Sequence, residues 1–360
     1  MRQHLFGRRL RGFLAGAAAA GTVAAGTVAA GALAGCSAPA GTATAAGPAR
    51  GLTAATRSGE VRGRAAGGID EFLGIPYAAP PTGSLRWQPP APAAHWRGVR
   101  AATAFAPHCP QSASPFGRPS TSEDCLYLNV FTRPGASRAG HPVMVWIHGG
   151  ALVTGESDDY NPAALVNDGV TVVTINYRLG ALGFLADSAL AGPAGDAGNY
   201  GLMDQQAALR WVQANISRFG GNPRDVTLFG ESAGGLSVLS QLVSPGSAGL
   251  FQRAIIESGS YNPVQAPLAG AEAAGAGFAA RVGCGTEPSA TATAACLRAV
   301  PVATLLARQD AGGYTPDVDG LVLKQSVLTA LQSGQFHRVP VIMGTNHDEW
   351  RLFLGLDRLL

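Results

Sequence analysis

Two kinds of hydrophobic pattern alternate along the chain, and their order carries the first structural message. Short apolar runs recur at 143–147, 170–175, 226–229, 254–256 and 340–343. They are too short for helices, and several are rich in β-branched residues. Lacking polar alternation, they suit central strands of a sheet covered on both faces. Between two of these runs, Leu202, Leu209, Val212, Ile216 and Phe219 recur at helical spacing. This predicts one apolar helix face, ended by Gly220-Gly221. Strands alternating with helices predict an α/β fold with a mostly parallel central sheet flanked by helices. In such sheets reactive groups gather at the carboxyl ends of the strands.

The N-terminal end breaks this pattern. Arg8, Arg9 and Arg11 precede an uncharged run, mostly Ala and Gly, from 13 to 33, which ends in Leu33-Ala34-Gly35-Cys36. A basic start, an apolar stretch and small residues make a secretory signal. The last four residues resemble the lipobox of bacterial lipoproteins, whose Cys is lipidated and becomes the first residue. So much Ala and Gly is weakly hydrophobic for a permanent span. The expected organisation is a signal peptide over 1–35, and a lipidated Cys36 with a flexible Ala/Gly/Thr/Pro tether over 36–56. One incomplete catalytic-type domain follows over 57–360. The expected location is outside the cytoplasm, on the outer face of the membrane or secreted.

This leader changes how the charge reads. The chain holds 26 basic and 23 acidic residues, a formal net charge of +3. Four of the basic ones (Arg2, Arg8, Arg9, Arg11) sit in the acid-free first 35 residues, leaving 22 against 23 in the remainder. A nucleic-acid partner is therefore not expected, since no basic stripe is left for phosphates. Hydrophobic residues at 46% and charged residues at 14% exclude a disordered chain. The five cysteines are an odd count for an exported protein. Assigning lipid to Cys36 leaves Cys109, Cys125, Cys284 and Cys296, whose simplest connectivity of the three possible closes two local loops. Four buried thiols are the alternative. No cysteine or histidine spacing of a metal site occurs, so no metal or cofactor is expected.

The sharpest chemical feature follows the run at 226–229: Gly230-Glu231-Ser232-Ala233-Gly234-Gly235, the only G-x-S-x-G in the chain. With a strand before it and Leu236, Leu239 and Val243 at helical spacing after it, this is a nucleophile-elbow arrangement. A second piece, His148-Gly149-Gly150-Ala151, follows the run at 143–147. Acyl transfer develops a negative oxygen that preorganised N–H donors must meet, and small residues let backbone amides approach it. The donors predicted are Gly150, Ala151 and Ala233, with the His148 side chain bracing the loop.

At this point the chain resembles the type-B carboxylesterases, the family that includes the cholinesterases, within the α/β-hydrolase fold. The resemblance rests on ordered blocks: Gly74-Ile75-Pro76-Tyr77-Ala78, Glu123-Asp124-Cys125-Leu126-Tyr127-Leu128-Asn129-Val130, Asn176-Tyr177-Arg178, Gly198-Asn199-Tyr200-Gly201, Phe219-Gly220-Gly221-Asn222-Pro223, the elbow and Asp319-Gly320. It implies Ser232 as nucleophile and Glu349 as the acid of a catalytic triad. Ser258 would hydrogen-bond that acid, and Glu231 would support the site beside it. It also implies that Cys109 pairs with Cys125 and Cys284 with Cys296.

Serine needs a general base to take its proton, and on this fold the order is Ser, acid, His. The seven histidines are at 4, 95, 108, 141, 148, 337 and 347, so none follows Glu349. The family carries its base well beyond the acid, in a Gly-x-x-His-Gly-like motif that is not matched here. His347, two residues from Glu349, is too close to bridge acid and serine. The expectation is a fragment of a longer esterase, the alternative being a gene that stops early, and in either case little turnover by the chain itself. The expected substrate is a small or medium uncharged ester. Choline esters are disfavoured because the span 110–124 has no Trp to receive a quaternary ammonium. A second class, a non-catalytic adhesion protein on a hydrolase scaffold, is disfavoured by the presence of Ser232, Gly150-Ala151 and Glu349.

Overall fold

The computed structural model describes residues 52–135, 140–193, 197–310 and 313–357. The expected signal peptide, Cys36 and most of the tether lie outside these residues. The tether expected over 36–56 gives way to structure before its end. Thr53–Ala55 already pairs antiparallel with Glu60–Arg62.

An eight-stranded sheet organises the domain. In chain order its strands are β1 (Arg64–Ala66), β2 (Ile69–Pro76), β3 (Tyr127–Thr132), β4 (His141–Ile147), β5 (Thr171–Ile175), β6 (Gly221–Glu231), β7 (Arg253–Glu257) and β8 (Val341–Gly344). The spatial order is β8-β7-β6-β4-β5-β3-β2-β1. From β8 to β5 every pairing is parallel, and from β5 to β1 every pairing is antiparallel. The five apolar runs are the five parallel strands. In β5 all five residues are buried, which explains the missing polar alternation.

Helix α1 (Tyr200–Asn215) crosses between β5 and β6, as its apolar spacing predicts, but it stops short of Phe219. Ile216–Phe219 tightens into a 3-10 turn, and Gly220, at φ 86°, turns the chain into β6. The start of α1 is tied down by charge. Arg178, just beyond β5, donates from Nε and Nη2 to the Asp204 carboxylate at 2.8 Å each, with both side chains buried. Helix α2 (Ala233–Val243) returns from β6 and buries nearly its whole length against β6 and β7.

Further helices, α3 (Leu268–Arg281), α4 (Ala290–Ala299) and α5 (Val302–Arg308), form a group joined by the Cys284–Cys296 disulfide. The Cys109–Cys125 disulfide closes the other loop implied by the resemblance. Arg86 links the two regions. Its guanidinium grips Glu123 through Nε (2.7 Å) and Nη2 (2.6 Å) and reaches the Arg298 and Val300 carbonyls at 3.0 and 2.7 Å. A planar fork suits this double task, which the point charge of a lysine could not fulfil.

Candidate active site

The elbow is built by steric necessity. Ser232 sits between β6 and α2 at φ 54°, ψ −121°, a conformation L-residues avoid and keep only when their surroundings over-determine it. Two backbone hydrogen bonds do that. Ser232 N–H donates to the Glu257 carbonyl of β7 (2.8 Å), and Leu236 N–H donates to the Ser232 carbonyl (2.9 Å). The glycines let backbones cross. A Cβ at Gly230 would fall 2.6 Å from the Gly234 carbonyl carbon, and one at Gly234 only 2.0 Å from the Ile147 carbonyl oxygen.

The loop after β4 passes directly over this serine. A Cβ on Gly149 would lie 3.2 Å from Ser232 Cβ and 2.9 Å from the Glu231 carbonyl. The loop then runs through positive φ at Gly150 (98°), Ala151 (55°), Leu152 (61°) and Gly155 (118°). Among the described residues, no carbonyl or side chain accepts from the N–H of Gly150, Ala151 or Ala233. Three free donors thus belong to segments that meet at Ser232. His148 braces the loop as expected. Its ring is buried, stacks on Tyr177 at 4.4 Å, and places Nδ1 2.9 Å from the Gly149 carbonyl. The Tyr177 hydroxyl donates to the His148 carbonyl at 2.8 Å. Burial pushes the imidazole down to about 4, so it is neutral at physiological pH.

Glu349 opens helix α6 (Glu349–Asp357) just after β8. Its Oε1 accepts from the Ser258 hydroxyl, from Thr345 Oγ1 at 2.8 Å and from Asn346 N–H at 3.0 Å. These bonds hold the carboxyl below its usual range, Ser258 contributing most. Strand register explains the convergence. Glu257 pairs with Glu231 on one side and Gly344 on the other, so the carboxyl ends of β6, β7 and β8 finish level. Glu231 lies beside this group. Burial raises its carboxyl above the usual range, and the negative charges of Glu349 and Glu257 raise it further.

The sequence singles out Ser232, Glu349, Ser258 and the three amide donors, and the fold brings all of them to one end of the sheet. The pattern missed the Thr345 and Asn346 donors, although a polar turn between strand and acid was visible. It also missed Tyr261, whose hydroxyl interacts with Ser232 and is pushed up to about 12 by burial. Nothing in the pattern around Tyr261 marks it. Among the described residues, no histidine bonds Ser232 or Glu349. His347 is 97% exposed beside Asp348, and His337 is held by the Ser244 carbonyl at 2.7 Å.

One group of ligand-type side chains, His108, Glu156 and Asp158, brings its atoms within 4.8 Å of one another. The two ring nitrogens face different carboxylates, Nδ1 at 3.0 Å from Glu156 and Nε2 at 2.8 Å from Asp158. Arg118 adds positive charge, with Nε 2.6 Å from Glu156 and Nη2 3.1 Å from Asp158. Both carboxylates are thus already engaged by the His108 ring and the Arg118 guanidinium.

A sheet of this order, with a strained serine on the strand-to-helix turn after its central strand and an acid beyond a later strand, defines an α/β-hydrolase. The carboxylesterase family model matches residues 51–358, and the chain belongs to that family. It is 42% identical over 312 residues to a fumonisin B1 esterase of Sphingopyxis macrogoltabida, covering 84% of this chain and 57% of that protein. To a cocaine esterase of Oryctolagus cuniculus it is 43% identical over 333 residues, covering 84% and 60%. Among solved structures, a carboxylesterase of Geobacillus stearothermophilus superposes with a TM-score of 0.77 at 39% identity, covering 86% of this chain and 64% of that one. A PNB esterase superposes with a TM-score of 0.75 at 38% identity, covering 84% and 65%. The chain thus spans a little over half the length of the curated relatives it matches.

Proposed function

We propose that this chain carries the nucleophile, acid and oxyanion donors of an exported serine esterase acting on small or medium uncharged carboxylic esters. The observation that carries this reading is Ser232, held at φ 54° between a loop and a helix start whose Gly150, Ala151 and Ala233 N–H groups have no acceptor among the described residues. In the proposed reaction Ser232 Oγ attacks the ester carbonyl carbon and loses its proton to a base. The N–H groups of Gly150, Ala151 and Ala233 meet the negative oxygen of the tetrahedral intermediate. Collapse expels the alkoxide, which takes up a proton, and leaves an acyl-Ser232 ester that water hydrolyses to free acid and serine. Glu349, ionised and held by Ser258, would orient and stabilise a histidine base, and the matched portion contains none in reach. The chain by itself is therefore expected to acylate slowly, because donors without a base retain only part of the rate enhancement.

Membrane attachment through lipid on Cys36 belongs to the same proposal, supported by the leader pattern. The test of the chemistry is intact-mass analysis after incubation with a fluorophosphonate probe. One slow adduct in the wild type and none in Ser232→Ala is the expected result. An adduct that survives the substitution overturns Ser232 as the reactive group, and no adduct over days in either this chain or a full-length version sinks the reading and favours the adhesion alternative. Radiolabelled palmitate incorporation in a bacterial host, lost in Cys36→Ala, tests the anchor.

A further inference from the structure

The loop over Ser232 is strained, and something must hold it. Ala151 and Leu152 are L-residues in the left-handed region at consecutive positions, and Gly150 and Gly155 flank them at positive φ. Such conformations persist only where surrounding contacts leave no alternative. Contacts within the loop are few, the main ones being Val153 and Thr154 N–H to the Gly150 carbonyl at 3.1 and 3.0 Å. The decisive contacts come from the Cys109–Cys125 loop.

Gln111, 1% exposed, grips the far end of the strained loop with both ends of its amide. Its Oε1 accepts from Gly155 N–H at 2.8 Å and from Thr154 Oγ1 at 2.6 Å, and its Nε2 donates to the Gly155 carbonyl at 2.9 Å. The side chain thus pairs with a backbone residue much as a neighbouring strand would. Ser114 Oγ adds a bond to Thr154 Oγ1 at 2.8 Å. The base of the clamp is itself fixed, because Gln111 and Ser120 exchange backbone bonds of 2.9 and 3.0 Å across the loop. The space is closed. A Cβ on Gly117 would fall 2.2 Å from Gln111 Oε1 and 2.8 Å from Gly155 N. One residue further on, Glu156 is seized by Arg118 from the same disulfide loop, through the Arg118 backbone N–H at 2.9 Å and Nε at 2.6 Å.

We propose that Gln111 is a positioning residue, whose amide clamp on Thr154 and Gly155 holds the loop bearing Gly150 and Ala151 in its oxyanion-binding conformation. The functional half of this proposal rests on the reading of that loop given above. The clamp itself rests on geometry alone, so the two can fail separately.

The test compares the full chain with Gln111→Met, which keeps volume and removes all three bonds, and Gln111→Glu, which keeps the acceptor and loses the donor. Amide hydrogen exchange of the peptide covering 149–156 is read beside exchange of β5 and β6. Both variants are first checked for an intact thermal transition. Loss of about two or three net hydrogen bonds should speed loop exchange at least roughly tenfold in Gln111→Met, less in Gln111→Glu, with the strands unchanged. The fluorophosphonate labelling rate at Ser232 should fall in the same order. Unchanged loop exchange in a folded Gln111→Met or Gln111→Glu protein overturns the clamp. Faster exchange with an unchanged labelling rate overturns the positioning role. A wild type that never labels, with loop exchange still accelerated by the substitutions, sustains the clamp and defeats the esterase reading instead.

Discussion

At the scale of single residues, buried titratable groups impose opposite demands on stability. Asp317 is 2% exposed with neither carboxylate oxygen hydrogen-bonded, and burial, with the nearby Asp319, pushes it up to about 8. Between its ordinary value of 3.8 and about 8 the folded protein keeps a proton that the unfolded chain releases, so stability falls as pH rises. His148 acts in reverse. Its ordinary 6.5 drops to about 4 on folding, so stability rises with pH across that interval. Taken together, the two groups nearly cancel from about pH 4 to 6.5, and the Asp317 contribution alone remains above that. Asp317→Asn should therefore remove a decline of up to about 1.4 kcal/mol per pH unit between about pH 6.5 and 8. Urea unfolding at several pH values measures this, and an unchanged slope would contradict it. Packing at the elbow makes a second residue-scale prediction. Gly234→Ala drives a methyl into the Ile147 carbonyl and should cost on the order of 3 kcal/mol, read as a lower urea midpoint.

At the scale of elements, the loops depend on their crosslinks. Opening the Cys284–Cys296 loop, which closes over a sequence separation of 12, by replacing both cysteines with serine should cost about 2–3 kcal/mol. Chemical denaturation of the double variant against wild type checks it. The elements also show what a pattern of residues conveys and what it hides. The five parallel strands were readable because each is a short apolar run without polar alternation, buried throughout in β5 though exposed along β8. The elbow was readable because glycine is required wherever backbones cross. Short strands such as Thr53–Ala55, with burial alternating over only three residues, carry too little signal and were absorbed into the expected tether. Helix α1 was read past its end because Ile216 and Phe219 remain buried in the 3-10 turn, so apolar spacing continues where the α-helical bonding stops. Gln111 was invisible for a different reason. Its partner Gly155 is 44 positions away, and no local spacing encodes a contact that the sheet creates. Tyr261 meets Ser232 across the same kind of tertiary gap.

For the whole molecule, the sheet has one weak side. Along β8, Val341, Ile342 and Met343 are exposed, and α6 adds Trp350, Phe353 and Leu354 to the same apolar stretch of chain. Among the described residues β8 pairs only with β7, so its outer edge is open for pairing. Sedimentation velocity should show concentration-dependent association of the chain. Ile342→Lys with Trp350→Glu should return it to monomer, and persistence of the larger species would place the contact elsewhere. The strand order has a temporal consequence. β6 adds beside β4, β7 beside β6 and β8 beside β7, each onto the border left by the one before. A nascent chain emerging N-terminus first can therefore assemble its antiparallel half and then extend the parallel half in the order of translation. No earlier pairing has to be undone for β6, β7 or β8 to enter, since β5 occupies one border of β4 and leaves the other free for β6. The serine is assembled only when β7 arrives, since the Glu257 carbonyl that fixes its strained backbone is made after it. The strained backbone of Ser232 is in this sense a late product of biosynthesis, fixed only after a strand beyond it has left the ribosome.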